Sequence, residues 1–399
     1  MKTPNIAGLP QGQFGIVTIL GVTQTLSWGS TFYLPAVIAE PICNNLHISQ
    51  AGFFGIFSAS LLLSGILGPK AGRMIDHYGG RCILAATNVI FAIGLAALAT
   101  ATGIASLAVA WALIGIGMGF GLYEASFATA TAIFGAKARG AITGITLFAG
   151  FASTIGWPAT ALFLHVFGWR GACLTWAALQ ILLGLPLNLL IPKMAAGAVN
   201  TIKHDIASPS VTGTPITMIV LAGVFAACWF VSVAFASNLP RLLQMLGASP
   251  TQAIAAASLV GPAQVGARLI EFVLLQRASP LISARLATIL HPIGAACLAF
   301  FGAPAAVLFT ILHGGGNGLQ TIARGTLPLA LFGPAGYGLR TGVLAAPGRI
   351  LQGGAPLLFS LVLDRGGPYL ALLLSGTLMS LAFMALMFVK APSPKTKDG

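Results

Sequence analysis

Four polar residues recur along one otherwise apolar stretch of this sequence: His313, Asn317, Gln320 and Arg324 stand at i, i+4, i+7 and i+11. On a helix that spacing puts all four on one face. Their chemistry suits binding of a small polar or anionic solute; packing glue between helices is the plainer alternative. Arg349 is a second guanidinium in an apolar run, able to meet a carboxylate in a bidentate way or to hold a carbonyl end. Gln24, Ser27 and Thr31, at i, i+3 and i+7, read either as a second cavity face or as hydroxyls bonded back to their own helix. Glu124 is the one carboxylate set well inside an apolar stretch. A buried carboxyl near an arginine can take up and release a proton as its surroundings change, so Glu124 is the candidate for proton coupling. A static ion pair with Arg324, or a glutamate snorkelled to the rim, is the competing reading. The sum of Arg324 and Arg349, with Arg268 as a further candidate, against one acid favours an anionic solute.

Enzymatic chemistry finds no foothold. There is no His/Glu zinc spacing, no Gly-x-Ser-x-Gly and no Gly-Lys-Ser/Thr, so no catalytic residue, metal or cofactor is expected. Cys43, Cys82, Cys173, Cys228 and Cys297 are far apart and show no ligand spacing, which predicts neither disulfide nor zinc. His47, His165 and His291 stand alone and read as structural or surface residues.

The elements that must hold these residues are membrane spans. Of 399 residues 57% are hydrophobic and 7% charged, against about 25% charged in soluble domains. Mean hydropathy is +0.92. That excludes a disordered chain and points to lipid as the solvent. Apolar stretches run over 14–38, 50–69, 82–101, 106–130, 141–166 and 171–191, then 215–239, 251–270, 283–303, 304–328, 341–362 and 368–389. These twelve, numbered spans 1 to 12, are too long for barrel strands and must be helices. With the N-terminus inside, fifteen lysines and arginines fall on the cytoplasmic side, three (Arg170, Arg241 and Arg365) outside, and Arg324 and Arg349 within spans. This positive-inside bias places both termini in the cytoplasm and explains the net charge of +13 without nucleic acid. The first residues carry no cleavage site behind a short apolar core, so no removed signal peptide is expected.

The longest polar stretch, 192–214, separates six spans from six. FGAKARGAITG at 134–144 is echoed by FGPAGYGLRTG at 332–342, and Gly68-Pro69 with Arg73–Asp76 by Gly261-Pro262 with Arg268–Glu271. Offsets of 193 to 198 residues describe a duplicated six-helix unit. The expected division is a bundle over 1–193, a cytoplasmic linker over 194–211, and a second bundle with a short tail over 212–399.

Between spans 2 and 3 stands GRMIDHYGGR at 72–81. This resembles the loop motif of the major facilitator superfamily, with Gly72, Asp76, Gly79 and Arg81 at its defining positions. The resemblance covers nearly the whole chain and implies an all-α membrane protein of twelve helices in two pseudo-symmetric bundles. It also implies secondary transport by alternating access. Gly72 permits close helix approach, and the resemblance implies that Asp76 latches onto the N-terminus of span 11 near Arg340. Arg73 and Arg81 belong to the same gating set or serve topology alone. Arg268 and Glu271, the second-half echo, read as a gate, although carboxylate carriers use an arginine in span 8 for substrate. Trp111 stands where members often carry an arginine before the glycine series of span 4, and Gly150, Gly156 and Pro158 give a loose version of an antiporter pattern.

Within the superfamily, QTLSWGSTFYLP (24–35), SASLLLSGILGP (58–69) and FGWRGACLTWAALQILLGLPL (167–187) resemble bacterial carriers near the monocarboxylate and oxalate branch. ARGTLPLALFGP (323–334) is similar to bacterial exporters of trivalent arsenicals. The expected function is proton-coupled movement of a small organic or inorganic anion across the cell inner membrane, by a functional monomer whose partners are substrate, protons and lipid. Export of drugs or trivalent arsenicals, with Cys228 and Cys297 meeting the solute, is the runner-up; a transporter-like sensor is a third reading.

Overall fold

The computed structural model describes residues 12–193, 213–275 and 278–390. The linker expected over 194–211 lies outside the described residues. The chain divides into two compact units, Met1–His204 and Asp205–Gly399.

In the first unit, span 1 is Gln13–Ser30 continued by Pro35–Leu46, span 2 is Gln50–Tyr78 and span 3 is Gly80–Ala99. Span 4 is Ile104–Gly121 followed by Tyr123–Phe134. Ala138–Ala149 and Ala152–Leu179 carry spans 5 and 6, and span 6 ends through a π-helical turn, Gln180–Gly184, and Leu185–Leu189. The second unit holds span 7, Pro215–Met245, and span 8, made of Pro250–Ser258, Val260–Ile270 and a π-helical turn over Glu271–Leu275. Span 9 is Pro280–Phe301, span 10 is Ala306–Phe332, and Tyr337–Met387 supplies spans 11 and 12. The twelve apolar stretches are therefore twelve helical legs.

Local sequence explains where the legs begin and turn. Ser49 and Ser249 cap spans 2 and 8 by accepting from the amides of Gly52 and Gln252 at 3.1 and 3.2 Å. Single glycines turn the chain without a loop, among them Gly168 between spans 5 and 6 (φ 68°) and Gly367 between spans 11 and 12 (φ 72°). With ψ at 176° and −177° both occupy a region essentially reserved for glycine, where a side chain would cost about 1–3 kcal/mol.

The same helix pairs form inside each unit. Span 1 packs on 5, and 2 and 3 pack on 4; correspondingly 7 packs on 11, and 8 and 9 pack on 10. Glycines make the second pair close. A Cβ on Gly115 would stand 2.6 Å from the Ser60 carbonyl oxygen, and one on Gly314 would stand 2.7 Å from that of Val260. Gly119 and Gly318, one turn on, meet Ser64 and Gln264 backbone in the same way. Trp111 fills the arginine position as a wholly buried ring edge-on to Phe57 and Phe53.

The outside of both units is apolar, as lipid requires: Leu182 is 75% and Phe300 85% exposed. Polar side chains face inward instead, among them Gln24, Asn88, Gln180, Arg268, Glu271 and Arg349.

Candidate functional site

In the second unit, two guanidiniums converge on one indole. Trp229 lies in the middle of span 7; Arg324 of span 10 sits with Cζ 4.1 Å from its ring centroid, and Arg349 of span 11 with Cζ 5.5 Å away. Gly348 makes this possible, since a Cβ there would reach Cε3 of Trp229 at 2.5 Å. Arg349 is 5% exposed and Gln320, one turn before Arg324, is 6% exposed. Neither amide atom of Gln320 has a hydrogen-bond partner among the described residues. A cluster of two positive planar groups, an aromatic face and an unengaged buried amide is suited to a desolvated anion.

The other two residues of the span 10 face belong to a different cluster. His313 Nδ1 lies 2.9 Å from His291 Nδ1, and Asn317 Nδ2 lies 3.2 Å from His313 Nε2. Phe309 stacks on His313, and Phe235 of span 7 contacts both imidazoles at centroid separations of 5.0 Å. His291, which stands alone in the sequence, is thus a paired residue. Deeper in the same unit, Arg268 Nη2 donates to Thr321 Oγ1 at 3.3 Å and Ser283 Oγ donates to Glu271 at 3.4 Å. Both Arg268 and Glu271 are buried.

In the first unit the helix of span 4 breaks at Leu122 (φ −86°, ψ −167°) and restarts at Tyr123. The break removes the usual donor to the Gly121 carbonyl, and Gln24 Nε2 replaces it from span 1 at 2.7 Å. Glu124 falls in the first turn of the restarted helix, where the positive end of the helix dipole favours a carboxylate. It is half-buried. Thr31 donates its hydroxyl to the Ser27 carbonyl at 2.5 Å, the self-bonded arrangement weighed for that face. Ser30, beside them, begins a chain that joins three spans. Gln180 donates to Ser30 Oγ at 2.8 Å, Asn88 donates to Gln180 at 2.6 Å, and Asn188 donates to Asn88 at 2.7 Å. Gly184 leaves the space Asn88 occupies.

At the 72–81 motif, Gly72 is buried, Arg73 exposed, and Asp76 and Arg81 half-buried. Gly79 ends span 2 at φ 79°, and Gly80 lies so close to Thr129 of span 4 that a Cβ would overlap its hydroxyl. Asp76 occupies the last turn of its own helix, the end a carboxylate avoids. Arg340 donates to the carbonyls of Phe332 and Gly333 at 3.2 and 3.3 Å, closing the end of span 10.

Trp229, His291 and the Asn88–Gln180–Asn188 chain escape a reading of the sequence. Trp229 and the amides are polar-tipped residues inside spans, which is the signal available for them; His291 carries no spacing signal toward His313.

The sequence matches the family model described as Major Facilitator Superfamily over residues 19–322. No curated protein matches it significantly. Among solved structures, the human organic anion transporter MFSD10 (TETRAN) is similar at 16% identity and TM-score 0.74, covering 94% of this chain and 99% of that one. The proton:xylose symporter XylE bound to 6-bromo-6-deoxy-D-glucose is similar at 16% identity and TM-score 0.73, covering 95% and 96%. FucP in the outward conformation is similar at 15% identity and TM-score 0.71, covering 94% and 98%.

Proposed function

The chain belongs to the major facilitator superfamily, as a multi-pass membrane transporter of small molecules and not an enzyme, and we propose that its cargo is a small organic or inorganic anion moved with protons. The observation that carries the reading is the convergence of Arg324 and Arg349 on Trp229. Arginines cost several kcal/mol in a span and are placed there for ions or substrates. Here Trp229 spreads over both and Gln320 adds a buried donor and acceptor, so a carboxylate or comparable oxyanion is the best-matched solute. Glu124, held at a half-helix N-terminus, is the proposed proton-coupling group. Asp76, sited against its own helix dipole, is the proposed latch, with Gly72, Arg73, Arg81, Arg268, Glu271 and Arg340 as gating or supporting residues.

The resemblance of residues 24–35, 58–69 and 167–187 and the distribution of basic residues support the rest of the proposal. The protein works as a bacterial carrier near the monocarboxylate and oxalate branch, in the cell inner membrane, with both termini cytoplasmic. It alternates access as a monomer built from bundles 1–193 and 212–399.

Flux in membrane vesicles, with and without an imposed pH gradient, tests this against a panel of carboxylates, arsenite and dyes. Gradient-driven carboxylate flux should vanish in Glu124→Gln while downhill exchange survives. Arg349→Gln should weaken apparent carboxylate affinity at least about tenfold, the loss of one charge-assisted hydrogen bond. Unchanged gradient-driven flux in Glu124→Gln removes it from coupling. Arsenite or dye flux without carboxylate flux, lost in Cys228→Ser, would establish the efflux reading instead; what favours that reading is buried Cys228 beside Trp229 on span 7.

A further inference from the structure

We propose that His291 and His313 form a single-proton site within the second unit, loaded at Nε2 of His313 from the side of Asn317. It goes beyond the reading above, in which Glu124 couples, and gives His313 and Asn317 a proton rather than the substrate to handle.

With the Asn317 amide nitrogen turned toward His313, the hydrogen-bond geometry selects one pair of tautomers. Two Nδ1 atoms 2.9 Å apart require one N–H between them, so one ring donates and the other accepts. The Asn317 amide nitrogen only donates, and it faces His313 Nε2 at 3.2 Å. His313 Nε2 is therefore the bare nitrogen, His313 Nδ1 carries hydrogen and donates, and His291 Nδ1 accepts. His291 then carries its hydrogen on Nε2, which is buried without a hydrogen-bond partner among the described residues.

A proton from hydronium in the medium can enter this chain in one place without breaking the bond between the rings. It bonds to His313 Nε2, water departs, and the Asn317 amide turns over so that its oxygen accepts the new N–H. No other bond is made or broken. A second proton would have to sit on His291 Nδ1 and set two N–H groups against each other, so the capacity of the pair is one. Asn317 is half-buried whereas His291 and His313 are 2% and 3% exposed, which makes Asn317 the entry side. The cation formed lies against aromatic faces: Phe309 stacks on His313 within 5° of parallel, and Phe235, backed by Phe359 of span 11, touches both rings. Among the described residues, the hydrogen-bond and ring partners of the pair are Phe235 from span 7, Phe309 and Asn317 from span 10, and the two histidines themselves. None but the histidines titrates.

The test needs no substrate, so it succeeds or fails independently of the anion reading. Full-length protein in lipid nanodiscs is acidified from about pH 8 to about pH 4, and bound protons are counted with a pH dye. The His291→Gln/His313→Gln double variant should bind one proton fewer than wild type, His313→Gln should lose that same proton, and His291→Gln should lose none. Histidine ¹⁵N spectra of wild type should show a coupling across the Nδ1–H···Nδ1 bond. A deficit of two protons in the double variant, with one lost in each single, would mean two independent rings and overturn the proposal. A deficit of zero would mean that the pair never loads, and would equally overturn it. If the variants do not fold, the wild-type spectra decide: no coupling between the rings refutes the shared site.

Discussion

A guanidinium within an apolar span needs a delocalised or polar neighbour, and Trp229 is a neighbour to two. Its replacement separates aromatic support from mere volume. Trp229→Leu should weaken apparent carboxylate affinity by about 2- to 30-fold, the span of about 0.5–2 kcal/mol for such contacts, while Trp229→Phe keeps most of it. Equal losses in both, measured as vesicle uptake, would deny the ring any electrostatic part. Gln24 carries a prediction of a different kind, because its amide serves the open Gly121 carbonyl. Gln24→Leu should destabilise the purified protein by about 1–3 kcal/mol, the cost of leaving a buried acceptor unmet, seen as a lower thermal midpoint in detergent. At this scale the sequence is legible in part. Spacing along span 10 identifies a polar face, yet it does not reveal that Arg324 turns to Trp229 while His313 turns to His291. Periodicity on one helix says which residues share a side and is silent about the helix opposite.

Elements were easier to read than contacts, because lipid enforces helices of a minimum length and the apolar runs advertise them. Interruptions are the exceptions, in spans 1 and 8 and, with most consequence, in span 4. No proline marks it, and Gly121 is one of four alternating glycines, Gly115 to Gly121, whose shared cause is tight packing. What the break accomplishes is to give Glu124 a helix N-terminus inside a bundle, a place an unbroken helix cannot offer. The packing glycines make a sharp comparison. A methyl at Gly318 would meet the Gln264 backbone carbonyl, which cannot move aside as a side chain tip does, whereas a methyl at Gly261 meets nothing within 4 Å. Gly318→Ala should therefore lower the thermal midpoint by several degrees, roughly the effect of about 1–3 kcal/mol of overpacking, and Gly261→Ala should leave it in place. Equal midpoints for the two would show that spans 8 and 10 separate freely.

Across the whole molecule the duplication runs deeper than the motif echoes that first suggest it. The backbone enters the left-handed region at His47 and Gly247, at Gly135 and Gly333, and at Gly168 and Gly367, each pair about 200 residues apart, and the capping serines Ser49 and Ser249 keep the same interval. Side chains have diverged where the chemistry differs, so Gly29 in span 1 answers to Trp229 in span 7. Turn conformations have not, even where His47 answers to Gly247, because a turn between two spans tolerates few backbone geometries. Two six-helix units in series are the premise of the proposed topology, in which both termini lie on one side of the membrane. The fifteen-to-three distribution of basic residues supports the cytoplasmic side in that proposal. Thr102 and Lys137, both exposed, flank span 4 at opposite ends and sample the two sides. In a background freed of native cysteines, Thr102→Cys should react with an impermeant maleimide on intact cells, and Lys137→Cys only after permeabilisation. The reverse pattern would turn the whole chain over, place Asp76 and its loop outside, and leave the basic loops unexplained.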